Sequence, residues 1–192
     1  MRTIDQFNFK NKKAIIRVDF NVPIDNNKVT DTSRIKASKQ TIDKVCNDGG
    51  SCVLVSHLGR PKGFQKEFSM TKIINEVENV LERNVVLSKD VIGPDAKKKS
   101  LDLKPNQVLL LENVRFHDEE KKGDIDFAKE LSLLADCYIN DAFGTAHRAH
   151  ASTTTISTFF NDKFFGKCLE REVNSIKKVL NSGEIPILAI LG

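Results

Sequence analysis

Apolar positions along this chain fall into short dense runs that alternate with longer stretches of helical spacing. Ala14, Ile15, Ile16 and Val18 form the first run, rich in β-branched residues, as suits a strand buried on both faces of a parallel sheet. It is closed by Pro23, which has no amide to give a central strand. Asp25-Asn26-Asn27 reads as a turn. Asp31 or Thr32 then caps a helix with Ile35, Ile42, Val45 and Cys46 on one face, ended by Gly49-Gly50. Ser51 to Ser56 is a second buried strand. Met70, Ile73, Ile74, Val77, Val80 and Leu81 recur at i, i+3, i+4 and i+7 spacings, which predicts a helix with Ser69 as its N-cap.

The alternation continues to the end of the chain. Asn84–Leu87 reads as a third strand, 95–99 as a short basic helix closed by Pro105, and Gln107–Leu111 as a fourth strand. Asp124 caps a helix with Phe127, Ala128, Leu131 and Leu134 inward, and Cys137-Tyr138-Ile139 is a fifth strand. No hairpin signal of the Asn-Gly kind interrupts the series, so the predicted fold is α/β, a doubly wound, mostly parallel sheet with helices on both faces. Phe159-Phe160 and Phe164-Phe165 flank a polar break and pin the last connection to the core. Leu169, Val173, Ile176, Val179 and Leu180 mark a final amphipathic helix with Gly183 as its cap, and 186–191 reads as a further buried-type strand.

Composition narrows the class. At 192 residues, 40% apolar and 29% charged, the chain matches one soluble globular domain of ordinary size. Its four cysteines form no C-x-x-C pair, which argues against a disulfide framework or zinc site and fits a reducing, cytoplasmic setting. Cys52 and Cys137 fall in strand-like runs as small core residues. No apolar run approaches the ~20 residues of a membrane helix, so no membrane partner is expected. The net charge of +4 is modest, and lysine runs such as Lys97-Lys98-Lys99 and Lys121-Lys122 read as solvated surface. With few aromatics among them, a nucleic-acid partner is not expected.

The chemistry collects where strands end. Arg17, Asp19 and Asn21 leave the first strand in alternation, so an extended chain projects them from one side. His57 and Arg60 follow the second strand, Arg115 the fourth, and His147, Arg148 and His150 the fifth; Arg34 opens the first helix. In a doubly wound sheet these carboxyl ends share one edge. Clustered guanidiniums repel until an anion joins them, and their planar forks fit phosphate or carboxylate. A multiply charged anion is therefore the predicted ligand, with Asp19 and Asn21 suited to a sugar-like hydroxyl. His117 reads as packing. There is no G-x-x-x-x-G-K-[ST], no G-x-G-x-x-G after the first strand and no G-x-S-x-G elbow. His147 and His150 stand at i, i+3 with no further ligand at a suitable offset, so no metal site is expected.

RVDFNVP, SHLGRPKG, LLLENVRF and NDAFGTAHRAHAST, in this order, resemble the N-terminal half of the phosphoglycerate kinase family. The resemblance implies a six-stranded, Rossmann-like substrate domain over residues 1–165, an interdomain helix over 166–183, and the start of a nucleotide domain over 184–192. It implies phosphoryl transfer between ATP and 3-phosphoglycerate, giving 1,3-bisphosphoglycerate, in glycolysis. Asp19, Asn21, Arg34, His57, Arg60, Arg115 and Arg148 become substrate contacts, with Arg17, His147 and His150 in support and Arg34 at the transferring phosphoryl group. Mg-ATP or Mg-ADP belongs to the C-terminal domain, and none is expected on this chain. The full-length protein is expected to be a monomer, and this chain alone to bind 3-phosphoglycerate without turnover. A stand-alone phosphoanion-binding module is the alternative reading.

Overall fold

The computed structural model describes residues 2–181 and Leu188. Six parallel strands form the central sheet: β1 (Lys13–Arg17), β4 (Ser51–Val55), β5 (Val85–Leu87), β6 (Val108–Leu110), β7 (Cys137–Asn140) and β8 (Lys163–Phe165). Their spatial order is β5-β6-β4-β1-β7-β8. From β1 the chain first builds outward through β4, then returns to lay β7 against β1's other side. That reversal is the switch point at which open α/β sheets bind ligands.

The inner strands β1, β4, β6 and β7 divide their side chains between two cores. Ala14, Ile16, Leu54, Leu110 and Ile139 face α1 (Ser33–Asn47) and α2 (Ile74–Leu81), joining Ile35, Ile42, Val45, Val77 and Leu81. Ile15, Val53, Leu109 and Tyr138 face the other way, onto Ala96 of α3 (Pro94–Asp102) and Phe127, Ala128 and Leu131 of α5 (Ile125–Ser132). Both layers are closed, which is why these strands read as continuous apolar runs. Gly50 links α1 to β4 where a Cβ would meet the carbonyl oxygens of Phe9, Lys12 and Val45 at 2.8–2.9 Å. Among the described residues, no helix is long and apolar enough to cross a membrane.

Several expectations need correction. The sixth strand of the sheet, β8, comes from the Phe-rich segment expected to be a plain connection; Phe164 packs its ring on Phe7 and Phe9 at 4.7 and 5.8 Å. A two-residue hairpin exists after all: β2 (Ile24–Asp25) pairs antiparallel with β3 (Lys28–Val29). Asn26 and Asn27 turn it with φ of 47° and 61°, the left-handed region that asparagine tolerates and type I′ turns require. The helix expected from Met70 is broken. Ser69 caps only the 3-10 turn Met70–Lys72, its Oγ accepting from the Thr71 amide, and α2 starts after Ile73 leaves helical geometry.

A five-residue helix, α4 (Asp118–Lys122), sits where only a loop was expected. The last helix, α6 (Lys167–Asn181), buries Leu169 while Ile176, Val179 and Leu180 are 47%, 50% and 75% exposed. Its expected cap Gly183 and the expected strand over 186–191 lie outside the described residues, apart from Leu188.

Candidate anion site at the carboxyl edge of the sheet

Strand register sets the rim. Arg17 pairs with Val55 of β4 on one side and Asn140 of β7 on the other, and Leu54 with Leu110 of β6. The residues that follow, Val18, Ser56-His57, Leu111-Glu112 and Asp141, therefore leave the sheet at one level. Beyond Arg17 the chain no longer keeps strand geometry, so the alternation expected of Arg17, Asp19 and Asn21 does not carry them to one side. Arg17 turns inward and is 1% exposed, Asp19 accepts from Arg34, and the Asn21 Oδ1 accepts from the Gly59 amide at 2.8 Å.

Beneath the rim lies a buried polar network. The Arg17 Nε donates to the Ser152 Oγ at 3.0 Å, and its terminal nitrogens donate to the His57 Nδ1 at 3.1 Å and to the Val18 carbonyl. The Ser152 Oγ and amide in turn donate to the two carboxylate oxygens of Glu120 at 2.6 and 2.8 Å. Glu120 is fully buried on α4, so it supplies the negative charge that a buried guanidinium needs. Arginine only donates, so the Nδ1 of His57 carries a lone pair and the ring proton sits on Nε2. Burial, followed by the positive fields of Arg17, Arg115, Arg148 and Arg34, lowers the His57 pKa to about 2. His57 is thus a neutral imidazole at physiological pH, not one more cation.

Above the network opens a cavity of about 430 Å³ lined by Arg60, Arg115, Lys121, Arg148 and His150. No carboxylate lines it. Arg115 is anchored from below: its Nη1 donates to the Gly59 carbonyl at 2.7 Å and its amide to the Asn113 Oδ1 at 3.1 Å. Asn113 also takes the Leu58 and Phe68 carbonyls, tying the segment after β4 to the segment after β6. The buried Nε of Arg148 and Nδ1 of His150 make no hydrogen bond. His150 stands 3.7 Å from Glu120, yet burial outweighs that carboxylate and lowers its pKa.

The other half of the rim is arranged differently. Arg34 at the start of α1 donates to Asp19 at 2.7 Å, beside a second cavity of about 290 Å³ that also touches Asp141, Gly144, Cys168 and Glu172. A Cβ at Gly144 would lie 3.3 Å from the Asp19 carboxylate, so this loop passes close over the pair. Asp141 caps α6 by accepting from the Cys168 and Leu169 amides at 2.8 and 3.3 Å, while its other oxygen is buried without a partner. Burial pushes its pKa up to about 6 against the hydrogen bonds that favour the charge.

Of the residues expected at the site, the structure brings Arg60, Arg115, Arg148 and His150 to one cavity, Asp19 and Arg34 to the next, and Arg17 and His57 beneath. Asn21 holds the loop between, through Gly59. His147 is exposed on the loop, and His150 rather than His147 lines the basin. His117 packs its ring against Phe127 at 5.0 Å, as a packing residue does. Lys121, Glu120, Ser152 and Asp141 were missed. Lys121 and Glu120 sit in a charged run that reads as solvated surface; neither residue has a period or motif to mark it.

Fold and site together define a doubly wound α/β lobe that presents an arginine-walled anion basin at its switch point. A family model described as phosphoglycerate kinase matches residues 4–192. Curated relatives named phosphoglycerate kinase include those of Porphyromonas gingivalis, 45% identical over 99% of this chain and 52% of the relative, and Chlorobium chlorochromatii, 46% identical over 100% and 49%. Among solved structures, phosphoglycerate kinase from Pyrococcus horikoshii superposes with a TM-score of 0.88 at 29% identity, covering 97% of this chain and 47% of that one. The Coxiella burnetii enzyme gives 0.84 at 32% identity, over 96% and 46%. The chain belongs to the phosphoglycerate kinase family, and it spans about half the length of these relatives.

Proposed function

We propose that this chain is the 3-phosphoglycerate-binding lobe of a phosphoglycerate kinase, in which a phosphoryl group passes between ATP and the substrate carboxylate during glycolysis in the cytoplasm. The single observation that carries the reading is the basin itself: Arg60, Arg115, Arg148 and Lys121 line one cavity with no carboxylate among them. A phosphate monoester supplies the missing charge to the guanidinium forks that line the basin. The phosphate of 3-phosphoglycerate lies in this basin. Its C2 hydroxyl reaches Asp19 and Asn21, and its carboxylate points toward Arg34.

Phosphoryl transfer depends on in-line positioning and charge neutralisation more than on covalent chemistry. Arg34 fits the second task. It is half-exposed and held by Asp19 in the described arrangement, so it is free to reach the transferring group when a second, nucleotide-bearing lobe closes over the rim. Mg-ATP or Mg-ADP belongs on that lobe; by itself the 192-residue chain binds 3-phosphoglycerate and does not turn it over.

Equilibrium dialysis of the chain against 3-phosphoglycerate, inorganic phosphate and 3-phosphopropionate, which lacks the C2 hydroxyl, tests the reading. The expected order is 3-phosphoglycerate tightest, then 3-phosphopropionate, then phosphate, with no turnover in a coupled assay containing ATP. Equal binding of all three anions, or steady turnover by the pure chain, overturns it.

A further inference from the structure

At the amino edge of the sheet, away from the anion rim, two thiols face each other. Cys46 lies in the last turn of α1 and Cys52 is the second residue of β4; their sulfurs are 3.8 Å apart and the residues 1% and 0% exposed. The turn between them brings them together: Gly49, at φ +84°, and Gly50 fold α1 straight back into β4. Cys52 also donates weakly to the Ile42 carbonyl at 3.9 Å, which aims its sulfur at the helix. All four cysteines are free thiols here.

We propose that Cys46 and Cys52 are a reversible oxidation site, closing an intrachain disulfide when the protein meets a two-electron oxidant such as hydrogen peroxide. The sulfurs must close from 3.8 Å to about 2.05 Å, a side-chain adjustment at the end of a helix rather than a rearrangement of the sheet. The Cys46 thiolate attacks one peroxide oxygen; an S–O bond forms, the O–O bond breaks, and with one proton the departing hydroxide leaves as water. The Cys52 sulfur then attacks the Cys46 sulfenic acid. An S–S bond forms, the S–O bond breaks, and a second water carries away the Cys52 proton. Peroxide gains two electrons and the two thiols lose them.

Position selects Cys46 as the attacking sulfur: it lies in the last turn of α1 beside the exposed Asn47, whereas Cys52 sits inside β4, where burial pushes its thiol well up. Burial raises Cys137 to about 12 and also raises Cys168, so neither competes as a nucleophile at neutral pH. Both sulfurs are buried, so an oxidant reaches Cys46 by local opening of the last turn of α1, whose Asn47 is exposed.

The test is peroxide treatment of the folded, reduced chain, read by tryptic mass mapping. Peptide 45–62 holds both sulfurs and no other cysteine. It is expected to lose about two mass units, to regain them with dithiothreitol, and to show no loss in Cys46→Ser or Cys46→Ala. Circular dichroism confirms that each variant is folded. Gain of oxygen on this peptide without the two-unit loss, a bond from either sulfur to Cys137 or Cys168, or closure only in denaturant overturns the proposal.

Discussion

The two halves of the rim solve opposite problems. On the basin side, Arg60, Arg115 and Arg148 face an open cavity with no carboxylate on its wall, and Glu120 is buried below. On the other side Arg34 is already neutralised by Asp19 at 2.7 Å. A cluster left short of negative charge gains most when an anion arrives, whereas a guanidinium with its own partner gives up one contact to make another. In the proposed reading the basin supplies ground-state grip, and Arg34 contributes to rate rather than affinity.

The contrast can be broken from underneath. Glu120→Gln keeps the shape of the side chain but leaves Arg17 buried without its balancing charge. Removing one member of a directly paired buried charge costs roughly 3–5 kcal/mol; with Ser152 between Arg17 and Glu120, urea unfolding at pH 7 should show a loss toward the lower end of that range, with much of the loss recovered on adding sulfate. A variant as stable as the parent would mean that Glu120 does not support the guanidiniums.

The second prediction sharpens the Arg34 side. Asp141 has a folded pKa of about 6, above the ordinary aspartate value, so the folded state binds its proton more tightly than the unfolded state. Its contribution favours the fold below about pH 4 and is lost as pH rises through 6. The span is at most about 3 kcal/mol at 1.36 kcal/mol per unit. Unfolding at pH 4.5 and at pH 7 should accordingly show Asp141→Asn gaining relative to the parent at the higher pH, since asparagine still accepts from the Cys168 amide. A difference independent of pH would contradict the burial of that carboxylate.

Binding effects come next in size. In the proposed reading, Arg148→Ala removes a charged donor from the basin wall and should weaken 3-phosphoglycerate by roughly 10- to 100-fold, the equivalent of about 1.5–3 kcal/mol. Arg34→Ala should change affinity by less than about fivefold, because the exposed pair with Asp19 is worth under about 1 kcal/mol. Loss of equal size at both positions would erase the distinction between the two halves.

How much of this is visible in the letters depends on the physical signal each feature leaves. Strands β1, β4, β6 and β7 are buried along their length and announce themselves as apolar runs, and the segments after β4, β6 and β7 carry the arginines that meet in the basin. Strand β8 is three residues long and its lysine is exposed, so nothing separates it from an aromatic connection. The break at Ile73 leaves the helical period of its neighbours intact, because a 3-10 turn and an α-helix place Met70 and Ile73 on the same side. Glu120 is the sharpest case. A glutamate between Glu119 and Lys121 reads as solvent-facing, and only the fold brings Ser152 and Arg17 to it from distant parts of the chain. The neutrality of His57 is likewise invisible without its contacts, since it follows from a donor that can never accept.

The proposed binding lobe depends on guanidiniums from separate strand ends acting as one grip on a phosphate. Calorimetric titration of 3-phosphoglycerate into the parent chain and into Arg148→Ala, at the same pH and ionic strength, measures that grip directly. One site per chain in the parent, weakened at least tenfold in the variant, is the predicted result; no binding by the parent, or equal affinity in both, contradicts it.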